Sequence, residues 1–201
     1  MTGHSYDVVG SELRFTGPVI SVRSDTVVMP GGGTSVRDVI THPGAVAVLA
    51  MDDAGRVMLI RQYRHPVGDY LWELPAGLLD DDAESSLDAA RRELLEEVGV
   101  AAGDWRVLVD VHTTPGSTDE AVRIYLARGL SDKVADFTPG EHEESDLTEE
   151  WVDLDEALAR VLAGDITNGL TVAGVLAAAH ARGSSYRGLR PADAPWPARR
   201  P

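Results

Sequence analysis

The chain contains no cysteine. Disulfides, thiol nucleophiles and thiolate metal ligands are therefore excluded. The absence does not set a compartment, since a secreted protein can lack cysteine too. No apolar run approaches the roughly 18 residues that a membrane-spanning helix needs. No leader with a charged start, an apolar stretch and a small-residue end opens the chain. The expected location is cytoplasmic, with no membrane partner. Lysine is nearly missing: Lys133 stands alone, a bias that with many Arg, Ala and Gly fits a GC-rich genome. Positive charge as a whole is short, with 18 Lys and Arg against 33 Asp and Glu and a net charge of −15. A duplex binder carries a basic patch. Here basic residues are scattered, apart from RQYRH (Arg61 to His65) and the end of the chain, so no nucleic-acid polymer is expected as partner. An anionic small ligand would need the local negative field neutralised, which a divalent cation can do.

What is present suits one domain with an appendage: 201 residues, 43% of them hydrophobic, and no repeat. From Tyr6 to Thr41, β-branched segments alternate with turn residues, and PGGG (Pro30 to Gly33) marks a flexible turn. Residues 1–42 are expected to form a thin antiparallel β subdomain that packs on a neighbour or a second chain. After Pro43 the pattern changes. AVAVLAM (Ala45 to Met51) reads as a buried strand and RVMLIRQYR as a half-buried one. A helix is expected over about Ala83 to Val98, closed by Gly99. WRVLVDVH and AVRIYLARGL read as strands separated by TTPGSTDE, WVDL as another strand, and DEALARVLAG and TVAGVLAAAHA as helices. The order predicts an α/β fold over 43–182, a mixed sheet with helices on both faces. Residues 183–201, rich in Pro and Arg, are expected to be a disordered tail.

The helix carries the chemistry. Leu87, Ala90, Leu94 and Val98 form its apolar stripe. Glu93, Glu96 and Glu97 share another side, although like charges at this spacing destabilise a helix by a few tenths of a kcal/mol per pair. Two adjacent glutamates near a helix end are usually a solvated face. The full pattern is rarer: a Gly-led loop, Glu84, seven residues, then Arg92-Glu93-Leu94-Leu95-Glu96-Glu97-Val98-Gly99-Val100.

That arrangement resembles the Nudix box of nucleoside-diphosphate-linked hydrolases, whose pattern is Gly, five residues, Glu, seven residues, Arg-Glu-apolar-x-Glu-Glu-x-Gly-apolar. From Glu84 to Val100 every specified position agrees, whereas six residues rather than five separate Gly77 from Glu84. The resemblance implies a Nudix-type fold and Mg²⁺ or Mn²⁺, ions that suit oxygen-rich sites. It assigns Glu93 and Glu97 as primary metal ligands, with Glu96 and the carbonyl of Ala76 contributing. Arg92 and Glu84 would orient the carboxylates.

HPGAVAVL, RQYR, LWELPAGLLD and TPGSTDEAVRIYLA, with Pro115 fifteen residues beyond Val100, are similar to the ADP-ribose pyrophosphatase branch of that family, especially in its actinobacterial form. The similarity runs from about Ser35 to Ala181. It implies hydrolysis of ADP-ribose to AMP and ribose 5-phosphate by a homodimer whose N-terminal sheet helps build the partner's site. In the acidic stretch GEHEESDL, Glu143 matches the general base, with Glu144 the alternative. Arg64, and more weakly Arg37, would hold the diphosphate and terminal ribose by forked hydrogen bonds. Glu120 would contact ribose hydroxyls or support the metal site, and Glu73 would order the site or bind metal. Trp72 reads as core rather than adenine platform. Tyr6 and Phe15 are the aromatics of the N-terminal segment, without an assigned role, and His42, His65, His112 and His142 read as bystanders. Two other readings stand beside this one: hydrolysis of another nucleotide sugar or an oxidised nucleotide, and a non-catalytic ADP-ribose sensor. The sensor is disfavoured because the box carboxylates are intact and no DNA-recognition helix is evident.

Overall fold

The structure, a computed structural model, describes residues 5–81, 83–134 and 147–199. Three N-terminal strands, β1 (Val8–Thr16), β2 (Ser21–Val28) and β3 (Thr34–Thr41), form an antiparallel sheet in that order. Its outer strand β1 is exposed along its whole length, including Val8, Val9, Leu13 and Phe15.

The remainder is built around β4 (Ala45–Ala50). Its continuous apolar run arises because both faces are covered, as expected of a parallel-paired central strand. Val46, Val48 and Ala50 face one core with Leu94 and Val98, while Ala45, Ala47 and Leu49 face another with Val175 and Ala178. A β-hairpin follows, β5 (Arg56–Arg64) with β6 (Asp69–Glu73), and then the short β7 (Ala76–Leu78). Next come α1 (Ser86–Val98), β8 (Ala102–His112), β9 (Ala121–Leu130), β10 (Thr148–Asp153), α2 (Leu154–Ala163), α3 (Gly169–Arg182) and β11 (Arg190–Pro191). One sheet runs β11-β8-β9-β4-β7, with β4 and β9 parallel, and a second runs β10-β5-β6. α1 covers one face of the larger sheet and α3 the other, so the predicted mixed sheet between helices is present.

α1 starts at Ser86, not near Ala83. Ser85 has extended backbone and accepts a hydrogen bond from the amide of Asp88, which fixes the N-cap. Gly99, left-handed at φ 69°, closes the helix as expected.

The expectation of a disordered tail is corrected. Residues 183–199 lie on the protein, and Arg190–Pro191 adds a strand to the edge of β8. Arg123, whose side chain is 2% exposed, donates to the carbonyls of Ala194 (2.7 Å) and Pro195 (3.1 Å). Its guanidinium also lies 4.8 Å from the Trp196 ring centre. Asp110 accepts from both Arg123 and Arg190. Burial alone would raise the Asp110 pKa, but these two cations outweigh it and hold the carboxyl below its usual range. Proline and arginine content suggested a solvated tail because these partners lie more than sixty residues away in sequence.

Candidate active site

The site is assembled where β7 meets α1. Val48 donates to the carbonyl of Pro75 (2.8 Å), and Leu74 donates to the hydroxyl of Thr171 on α3 (3.0 Å), so the Leu74–Gly77 segment is fixed by its neighbour β4 within the sheet and by α3 on one face. The amide of Ala76 then donates to Glu97 Oε2 at 2.9 Å. Gly77 is required for a steric reason. A Cβ there would fall 2.0 Å from the Glu93 carboxyl group, so Glu93 crosses the strand through the space that glycine leaves. Glu93 and Glu97 are both buried, at 9% and 5% exposure.

Arg92 organises the other carboxylates. Nε and Nη2 fork onto the two oxygens of Glu84 (3.1 and 3.0 Å), while Nη1 reaches Glu93 Oε1 (2.7 Å) and Glu96 Oε2 (3.0 Å). The hydrogen bonds it donates to Glu84, then those to Glu96 and Glu93, raise the Arg92 pKa far above its ordinary value, so it stays charged at any working pH. The stacked glutamates are thus tolerated partly because one arginine touches two of them, Glu93 and Glu96, besides Glu84.

Arg64 and Glu73 form the second cluster. The β5–β6 register places them on one face, and Arg64 grips Glu73 through Nε (3.0 Å) and Nη2 (2.7 Å), with Glu73 itself 3% exposed. Arg37 and Glu120 make their contacts elsewhere. Arg37 donates to Ser35 on its own strand. Glu120 accepts from the Thr113 hydroxyl and stands 3.5 Å from His42 Nδ1. His42, read as a bystander, instead joins two segments: the same nitrogen accepts from the Gly44 amide at 3.1 Å, so an ion pair with Glu120 and this bond compete for one atom. Trp72 is partly buried against the α3-side core, as expected. Glu143, Glu144 and His142 lie outside the described residues.

A divalent ion fits this donor set. Among the described residues, no three acidic or histidine side chains converge enough to cage an ion unaided. Mg²⁺, however, takes one or two carboxylates and completes its shell with water and substrate phosphates rather than with an all-protein cage. Glu93 and Glu97, one turn apart against the Ala76–Gly77 backbone, supply such a pair, and both are hard oxygen donors.

Geometry and sequence define a class. Residues 41–169 match the NUDIX domain family, and the chain belongs to it. Within that family it is 47% identical over 196 residues to an ADP-ribose pyrophosphatase of Mycobacterium tuberculosis, covering 98% of this chain and 93% of that one. It is 36% identical to a methanol dehydrogenase activator of Bacillus methanolicus, over 83% of this chain and 89% of the relative. A solved structure of an ADP compounds hydrolase shares the fold with a TM-score of 0.78 at 22% identity, over 92% of this chain and 98% of its own.

Proposed function

We propose that this protein hydrolyses the diphosphate bond of ADP-ribose, giving AMP and ribose 5-phosphate, with Mg²⁺ or Mn²⁺ bound by Glu93 and Glu97. The observation that carries this is the pairing of those buried carboxylates with the Ala76–Gly77 backbone. Likeness to a pyrophosphatase of that substrate over nearly the whole chain supports it. The ion, when bound, neutralises phosphate charge and activates water. Arg92 holds Glu93 and Glu96 in position, and Arg64, aimed by Glu73, offers guanidinium N–H groups to a phosphate. Glu96 and the Ala76 carbonyl complete the proposed ligand set.

With magnesium, the purified protein should release AMP from ADP-ribose faster than from other nucleoside diphosphate sugars. A panel of such substrates with product analysis tests this, and a clear preference for another sugar would replace the substrate. Glu143 is proposed as general base from its place in the acidic stretch. Glu143→Gln should retain binding and slow hydrolysis by about 10², and unchanged kinetics would pass the role to Glu144.

We also propose a homodimer. The outer strand β1 leaves Val8, Val9, Leu13 (65%) and Phe15 (54%) exposed, apolar surface at the edge of the N-terminal sheet for a second copy to cover. No described helix is long and apolar enough to cross a membrane.

A further inference from the structure

We infer that the C-terminal segment is a wall of the substrate site and that Arg199 binds an oxyanion of a nucleoside diphosphate sugar. This rests on the activity proposed above.

The segment is held in place by contacts of three kinds. It pairs with the edge of β8 through Arg190 and Pro191. It is clamped at Ala194, Pro195 and Trp196 by the buried Arg123. It also reaches the start of the box helix, because the buried Tyr125 hydroxyl lies 2.9 Å from Ser86 Oγ and 3.4 Å from the Ala192 carbonyl. A tail fixed this firmly sets the direction of the chain beyond Trp196.

Residues 197–199 run into the space between the N-terminal sheet and the loop after β8. Pro197 and Ala198 line a cavity of about 660 Å³ with Arg37, His112 and Asp119. Arg199 lines a neighbouring cavity of about 410 Å³ with His42, Asp119 and the Leu78–Asp80 stretch that directly succeeds Gly77. Both volumes lie in the range of small-ligand pockets, roughly 300 to 1,000 Å³. Asp119 is common to the two cavities and is tied down by the His42 amide (3.0 Å) and Arg23 (3.4 Å).

Charge identifies the ligand class. Most arginines here are paired with carboxylates, as a net charge of −15 would dictate. Among the described residues, Arg37, Arg61, Arg187 and Arg199 make no ion pair, and Arg61 instead lies over Tyr70 and Trp72. Arg37 and Arg199 are the two of these that line the adjoining cavities. The half-buried Arg199 guanidinium, which shares its cavity with Asp80 and Asp119 but forms no ion pair with either, presents forked donors suited to phosphate oxygens.

The test uses the full-length protein. Arg199→Gln should raise KM for ADP-ribose about tenfold, with a far smaller change in kcat and an unchanged thermal midpoint. Trp196→Ala, which frees the segment, should raise KM similarly, and Trp196→Phe, which keeps a ring over Arg123, should restore it. Calorimetric titration of wild type and Arg199→Gln with ADP-ribose supplies a binding readout independent of turnover. Wild-type KM and affinity in Arg199→Gln would overturn the inference while leaving the activity intact. Binding weakened by Arg199→Gln in a protein that does not turn over ADP-ribose would support the inference and refute the activity. Neither binding nor turnover by wild type would overturn both.

Discussion

Glu97→Gln should remove nearly all activity, by a factor on the order of 10³ in kcat, while the protein stays folded. The substitution keeps side-chain shape, and the amide oxygen of glutamine can still accept from Ala76 N. What disappears is the negative charge. A factor of 10³ corresponds to about 4 kcal/mol of transition-state stabilisation, the scale of one lost electrostatic partner in a site from which water is excluded. Removing a buried charge does not destabilise by itself when the hydrogen bond survives, so circular dichroism and the thermal midpoint should stay close to wild type. A variant with near wild-type kcat would remove Glu97 from the ion's coordination and the proposed mechanism with it.

Gly77→Ala should lower kcat by about 10² to 10³ through a neighbour rather than through its own chemistry. The new methyl carbon would sit 2.0 Å from the Glu93 carboxyl, so that group must retreat by at least an ångström. Misplacement on that scale costs about 10² in well-organised sites, and here it also strains the contact to Arg92 Nη1. The backbone at Gly77 is not left-handed, so the damage comes from crowding and not from backbone strain. Steady-state kinetics alongside the apparent affinity for magnesium or manganese checks this. Wild-type values for both would mean that Glu93 has room elsewhere and that the glycine is incidental.

The sequence was most legible where local physics decides the structure. The box helix, its Gly99 stop and the strand at Ala121–Leu130 follow from periodicity and capping chemistry. It was least legible where pairing is distant. β7 is three residues long and exists because β4 offers it an edge about thirty residues earlier, so Ala76–Leu78 carries no strand signature of its own. The Arg64–Glu73 pair was visible as two separate candidates, but only the hairpin register shows that one aims the other. Of the Arg92 contacts, the one to Glu96, four residues on, could be anticipated from helical spacing, whereas Glu84 lies before the helix and is tied to Arg92 only by the family resemblance. The Arg123 clamp on the tail could not, because neither partner belongs to a recognisable pattern.

The triple grip of Arg92 means that this architecture does not rely on an ion for its integrity. Small zinc-dependent domains unfold when stripped by a chelator. Here an internal cation already offsets part of the repulsion, so a chelator should leave the thermal midpoint close to its starting value. Under the proposed metal assignment, activity lost to a chelator should then return on adding back magnesium or manganese, with no refolding step between the dormant and working states.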